Sequence, residues 1–198
     1  TVTDLGATIL DADGLRLSRN ERAFFREANP FGFILFARNV ESPEQLRALT
    51  SEMRETVGRE APILIDQEGG RVQRLRAPLW RDWPCALDHI TQAGADAAEV
   101  MRLRSRIMAH ELRACGIDVN CAPLVDVASP STHKFLKSRC YGFDPEGVAA
   151  IGRAVADGLL EGGVLPVVKH IPGHGRATVD SHFDLPRGEA DSEALRAV

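Results

Sequence analysis

The sequence lacks any apolar run approaching the roughly 18 residues of a membrane-spanning helix, and its first residues, TVTDLGATIL, lack a basic stretch followed by an apolar one. No membrane partner and no secretory signal are expected, so the expected location is cytoplasmic. Cysteine is scarce. Cys85, Cys115, Cys121 and Cys140 show no C-x-x-C spacing and sit in or beside apolar segments, which fits reduced thiols and argues against zinc held by cysteine. Charge of one sign is also missing: 24 basic against 28 acidic side chains leave a net charge of −4, so no nucleic-acid partner is expected. No Ser/Gly linker, low-complexity tract, charge block or short repeat divides the chain, which points to one domain.

What is present is a regular succession of elements. At 44% apolar residues the chain can bury a core. Short β-rich runs occur at about 6–10, 32–38, 62–66, 117–127 and 163–169, each bounded by Gly or Pro. Helical patterns lie between them. Ser18 and Glu21 form a capping-box pair for a helix that should stop near Asn29-Pro30. Ser42, Pro43 and Gln45 open a second helix, which Gly58 closes. A third is expected from about Thr91 to Gly116, with Ala93, Ala97, Val100, Leu103, Ile107, Leu112 and Cys115 as its apolar stripe. A fourth opens at Asp144-Pro145 and turns Val148, Ile151, Val155 and Leu159 inward. Strand then helix, repeated, predicts an α/β fold of parallel strands joined by crossover helices. A doubly wound sheet and a (β/α) barrel remain equally open at this level.

Polar residues that chemistry could use gather after two of the strands. PILIDQEGGRVQRL places Asp66, Glu68, Arg71 and Arg74 behind one; GVLPVVKHIPGHGRATVDSHFDLP places Lys169, His170, His174, Asp180 and His182 behind another. In parallel α/β folds that edge is where active sites assemble. A lone Asp after a strand is most often a turn former. The cluster reads otherwise, because a glycine-bearing loop with Lys169 and three histidines cannot be a buried core face.

Three chemistries compete for the second segment. Metal binding could use His170, His174, Asp180 and His182, but a Pro and a Gly between the first two histidines forbid the helix on which an i, i+4 pair converges. A phosphate cradle could use the Gly-Gly and GHG loops, yet neither matches a known dinucleotide or P-loop pattern. General acid/base work could fall to His182, with Asp180 two residues away to orient the imidazole.

Taken in order, ILFARN, IDQEGGRVQRL, APLVDV, SRCYGFDP and KHIPGHG followed by DSH resemble glycoside hydrolase family 3, and closely its bacterial beta-N-acetylglucosaminidase (beta-hexosaminidase) branch of peptidoglycan recycling. The resemblance runs from about Gly6 to Pro186. It implies a (β/α) TIM-type barrel, no cofactor, no metal, and an amino-sugar glycan or muropeptide as partner. Carried over position by position, it implies that Asp66, Arg74, Arg139, Lys169 and His170 hold the sugar. His182, paired with Asp180, would be the acid/base of a retaining mechanism, a histidine standing where most glycosidases use a carboxylic acid. His174 would order the loop. Aromatics number only eleven, with Tyr141 the sole tyrosine, so recognition should rest on charged hydrogen bonds more than on ring stacking.

The chain departs from the family pattern in two places. Before Arg139 the family usually has a Gly and an acidic residue, whereas STHKFLKSRCYG carries Lys134 and Lys137. The family's nucleophilic aspartate, in a segment resembling S-D-D-L, has no counterpart, and Asp184 and Asp191 follow the DSH too closely to serve. Five strand-helix units where a barrel needs eight lead to the expectation that residues 1–198 are the N-terminal portion of one catalytic barrel, completed by a C-terminal segment or a second chain. The rival readings are a phosphorolytic relative, a binding module without turnover, and a metal hydrolase.

Overall fold

Strand and helix alternate in a computed structural model that describes residues 5–177, 179, 183–187 and 193. The strands are β1 (Gly6–Leu10), β2 (Pro30–Leu35), β3 (Ile63–Ile65), β4 (Gln67–Gly69), β5 (Val72–Gln73), β6 (Val119–Asn120) and β7 (Leu165–Pro166). The helices are α1 (Arg19–Ala28), α2 (Pro43–Val57), α3 (Ala86–Ala93), α4 (Ala97–Ala114), α5 (Lys134–Lys137) and α6 (Pro145–Glu161). Five strands form one parallel sheet in the order β1-β2-β3-β6-β7, and β4-β5 is a separate antiparallel hairpin. The order never reverses. A doubly wound sheet must reverse part-way, so the fold class is α/β with the succession of a (β/α) barrel.

Local chemistry explains where the helices begin. Ser18 Oγ accepts from Glu21 N–H at 3.2 Å, and the Glu21 carboxylate accepts from Ser18 N–H at 2.8 Å, which starts α1. Asn29, in the left-handed region at φ 40°, ends it. Ser42 Oγ accepts from Gln45 N–H at 3.1 Å to start α2. Replacing Ser18 by Ala is expected to cost about 1 kcal/mol, read as a lower urea midpoint with an unchanged slope.

The third helical segment differs from the sequence expectation. It begins at Ala86, breaks through a 3₁₀ turn at Gly94–Asp96, and resumes as α4. Its buried face holds Met101, Arg104, Ser105, Met108 and Leu112, while Leu103 and Ile107 face solvent. The expected stripe is buried at Ala97, Leu112 and Cys115 but not at Leu103 and Ile107, because a buried arginine occupies the middle of the inner face. The closeness of α6 also decides it: a Cβ at Gly158 would lie 2.1 Å from the Arg102 carbonyl oxygen, so the two backbones touch where only glycine fits. On α6, Val148, Ile151, Val155 and Leu159 point inward as the spacing predicts.

The core lies between the sheet and its helices. Fully buried Phe33 on β2 meets the edge of Phe25 on α1, ring centroids 5.1 Å apart. Strand β3 is buried along its whole length, as a central parallel strand should be. Among the described residues β1 and β7 are paired on one side only, and apolar groups sit in the open there: Ile9 is 45% and Leu165 58% exposed. The runs expected over 117–127 and 163–169 shrink to two-residue strands. Pro123 and Pro166 lack the N–H a ladder needs, and only an isolated bridge, Leu124 to Lys169, continues the pairing.

Candidate active site

The sheet places the loops after β3, β6 and β7 at one edge, and there the chain builds a polar cleft of about 440 Å³. Asp66 follows β3 directly. A pair of buried amides holds it: Asn120 Oδ1 accepts from Gln67 N–H at 3.0 Å, and Asn120 Nδ2 donates to the Gln67 carbonyl at 2.9 Å. Gln67 Oε1 in turn accepts from Arg74 N–H at 2.8 Å and Leu75 N–H at 3.0 Å. Two carboxamides thus tie the sheet to the hairpin and fix where Arg74 stands relative to Asp66.

Asp66 is bracketed by cations. Lys169 Nζ donates to Oδ1 at 2.8 Å and Arg74 Nη2 to Oδ2 at 3.0 Å. Burial works against its ionisation, but the charge of Lys169 and then of Arg74 outweighs it, and the carboxyl stays below its ordinary value. Arg74 also lies over the ring of Phe36, and its buried Nε has no hydrogen-bond partner among the described residues. Arg139, following α5, makes a two-bonded pair with Glu68, Nε to Oε2 at 2.9 Å and Nη2 to Oε1 at 2.8 Å. Lys169 reaches Glu68 as well, at 2.5 Å. His170 Nδ1 lies 2.6 Å from Oδ2 of Asp126, a carboxylate buried beneath the cleft. Desolvation of Asp126 is outweighed by its bonds to His170 and to the His174 N–H, so this carboxyl too stays low.

All five expected sugar-holding residues, Asp66, Arg74, Arg139, Lys169 and His170, therefore line the same cleft. Asp180 and His182 lie outside the described residues. The lysines that depart from the family pattern do not displace Arg139, because α5 buries Phe135 and Leu136 and Lys137 turns away over Phe143. His174 donates its backbone N–H to Asp126, a loop-ordering contact.

The chain matches the model of the glycosyl hydrolase family 3 N-terminal domain over residues 4–198. It belongs to glycoside hydrolase family 3. A beta-hexosaminidase of Methylococcus capsulatus is 41% identical over 191 residues, covering 96% of this chain and 56% of that protein. One from Alkalilimnicola ehrlichii is 38% identical over 98% of the chain and 56% of its own length. Among solved structures, NagZ from Neisseria gonorrhoeae superposes with a TM-score of 0.88 at 32% identity, covering 98% of this chain and 57% of that one. The chain thus spans little more than half the length of these relatives.

Asp126 and Gln67 escaped sequence reasoning, and Glu68, placed after its strand beside Asp66 and Arg74, was given no role in holding the sugar. Glu68 joins Arg139 to Lys169; Asp126 supports His170; Gln67 sets the register of the hairpin. A polar residue two or three positions past a strand end (Gln67, Glu68), or within an expected strand (Asp126), was the available signal, and it does not tell a hub from a turn former. Cys121 lies at the cleft, where burial, followed by the charge of Asp66, pushes its thiol up to about 11. It stays protonated at neutral pH and is a poor nucleophile there. No group of three or more His, Cys, Asp or Glu side chains able to hold a metal occurs among the described residues, and none of their helices is long and apolar enough to cross a membrane.

Proposed function

We propose that the chain is the N-terminal portion of a single catalytic barrel that releases terminal N-acetylglucosamine from peptidoglycan-derived fragments in the cytoplasm. The observation that carries this reading is Asp66, held ionised between Lys169 and Arg74 at the edge of a polar cleft, with the Nε of Arg74, which has no hydrogen-bond partner among the described residues, beside it. A carboxylate there accepts two hydroxyl hydrogens, while guanidinium and ammonium donate to hydroxyl or carbonyl oxygens, the pattern a pyranose needs. NagZ of N. gonorrhoeae is known in complex with N-trifluoroacetyl-D-glucosamine, which supports an amino sugar.

In this reading His182, oriented by Asp180, gives a proton to the leaving glycosidic oxygen while an aspartate from outside residues 1–198 attacks the anomeric carbon. The neutral imidazole then takes a proton from water as that water displaces the enzyme carboxylate. The remaining strands, from a C-terminal segment or a second chain, would pair with β1 and β7 and cover their apolar residues. In the polypeptide that carries this chain, His182→Ala is expected to slow hydrolysis of 4-nitrophenyl N-acetyl-β-D-glucosaminide by about 100- to 10,000-fold. A rate equal to wild type would overturn the acid/base assignment. One observation favours phosphorolysis as a second reading: Arg71 lines the cleft without a carboxylate partner among the described residues, so a positive charge is left over. Turnover measured with and without inorganic phosphate decides between water and phosphate as acceptor.

A further inference from the structure

We propose that Arg104, on the inner face of α4, is a positioning residue that clamps the backbone of the β4-β5 turn and thereby fixes Glu68 against Arg139 and Lys169. Its effect on sugar affinity rests on the reading above; its effect on the turn does not.

Arg104 is 3% exposed, and no carboxylate among the described residues pairs with it. Its guanidinium is satisfied by neutral acceptors only. Nη2 donates to the Glu68 carbonyl at 2.7 Å and to the Pro84 carbonyl at 3.0 Å, Nη1 meets His89 Nδ1 at 2.9 Å, and the Trp83 ring lies 5.4 Å away. Burying a cation without a counter-ion is costly, and a Met or Leu would fill the same helical face at less expense. What an apolar side chain cannot do is span two carbonyls on separate segments with one rigid fork.

The turn is moulded around this group. Gly69 has φ +106°, and a Cβ there would lie 1.9 Å from Arg104 Nη2. Gly70 N–H donates to the Trp83 carbonyl at 2.8 Å, so the turn is fastened to the same 83–84 segment that Arg104 grips. Glu68 is consequently held at both ends, by its carbonyl to Arg104 and by its carboxylate to Arg139 and Lys169. Removing the guanidinium frees the carbonyl end. The carboxylate then no longer presents one geometry to the two cations that line the cleft.

The test uses Arg104→Met in the full polypeptide, with Arg54→Met as control. Arg54 is another largely buried arginine that donates to carbonyls, those of Ala61 and Gly116, but it does so at the opposite end of β3. Amide exchange of Gly69 to Arg74 is expected to be at least about tenfold faster in Arg104→Met than in the control. The Kd for N-acetylglucosamine should rise about tenfold or more, with KM for an aryl N-acetylglucosaminide rising more than kcat falls. Arg104→Lys, which reaches one carbonyl, should fall between wild type and Met, and it replaces the Met variant if that fails to fold. Exchange no faster than in the Arg54→Met control would overturn the proposal whatever the sugar result. Faster exchange with unchanged Kd would overturn the link from the turn to the cleft. A wild-type protein that does not bind N-acetylglucosamine would overturn the proposed function, while the exchange result would still decide the role of Arg104.

Discussion

In the polypeptide that carries this chain, Asp66→Asn is expected to lower kcat/KM for an N-acetylglucosaminide by at least about 100-fold on the proposed reading, in which Asp66 accepts two sugar hydroxyls and each hydrogen bond to the charged group contributes about 1.5–3 kcal/mol. Asn keeps the shape but loses one acceptor and the charge that Lys169 and Arg74 face. The loss should appear in both KM and kcat if the sugar hydroxyls shift between ground and transition states. Stability should respond in a pH-dependent way. The folded-state pKa lies below the ordinary 3.8, so the charged group's contribution is fully present above that value and is lost as pH falls through the lower folded value. The difference in unfolding free energy between wild type and Asp66→Asn should therefore be flat from about pH 7 to pH 5 as far as this group is concerned, and shrink below pH 3.8. A difference that grows on acidification would mean that Asp66 does not carry the charge assigned to it.

The larger effect on stability is expected from Glu68→Ala. Glu68 and Arg139 are each 8% exposed, and Lys169 is 13% exposed. Deleting the carboxylate leaves two poorly solvated cations near each other, and breaking one side of such a buried pair costs about 3–5 kcal/mol. Glu68→Gln, which keeps an oxygen acceptor, should cost less. A double-mutant cycle separates attraction from desolvation: Glu68→Ala with Arg139→Met should be more stable than the sum of the two single losses implies. Strict additivity, measured by urea unfolding, would mean that the two side chains do not depend on one another.

Much of the fold was legible because local chemistry and tertiary packing agree. The capping box at Ser18, the Ser42-Pro43 start and the inward stripe of α6 all stand where spacing put them. Where the two disagree, spacing failed. The buried face of α4 runs through Arg104 and Ser105, so the expected stripe is met at Ala97 and Leu112 and fails between them, where the inward side carries a guanidinium. The hairpin of β4 and β5 was hidden for a similar reason: it is held by Gln67 and Asn120 side chains more than by a strand pattern.

The site divides in the same way. The spacing of Lys169, His170 and His174 left metal, phosphate and acid/base chemistry open, and only the order of several segments singled out one family. The convergence of Asp66, Arg74, Arg139, Lys169 and His170 on one cleft is a property of the sheet edge. Pairings such as Glu68 with Arg139, 71 residues apart in sequence, depend on topology that no window of sequence contains.

The amide pair of Asn120 and Gln67 bears on the thermodynamics of ligand capture. Each carboxamide uses both its donor and its acceptor, much as paired bases do, so the loop behind Asp66 inherits the stiffness of the sheet. A ligand held by Asp66 need not freeze this loop, and the part of the conformational entropy cost that falls on it should be correspondingly small. Affinity in such a site is limited by how well the polar groups of a ligand replace water on charges already fixed in place.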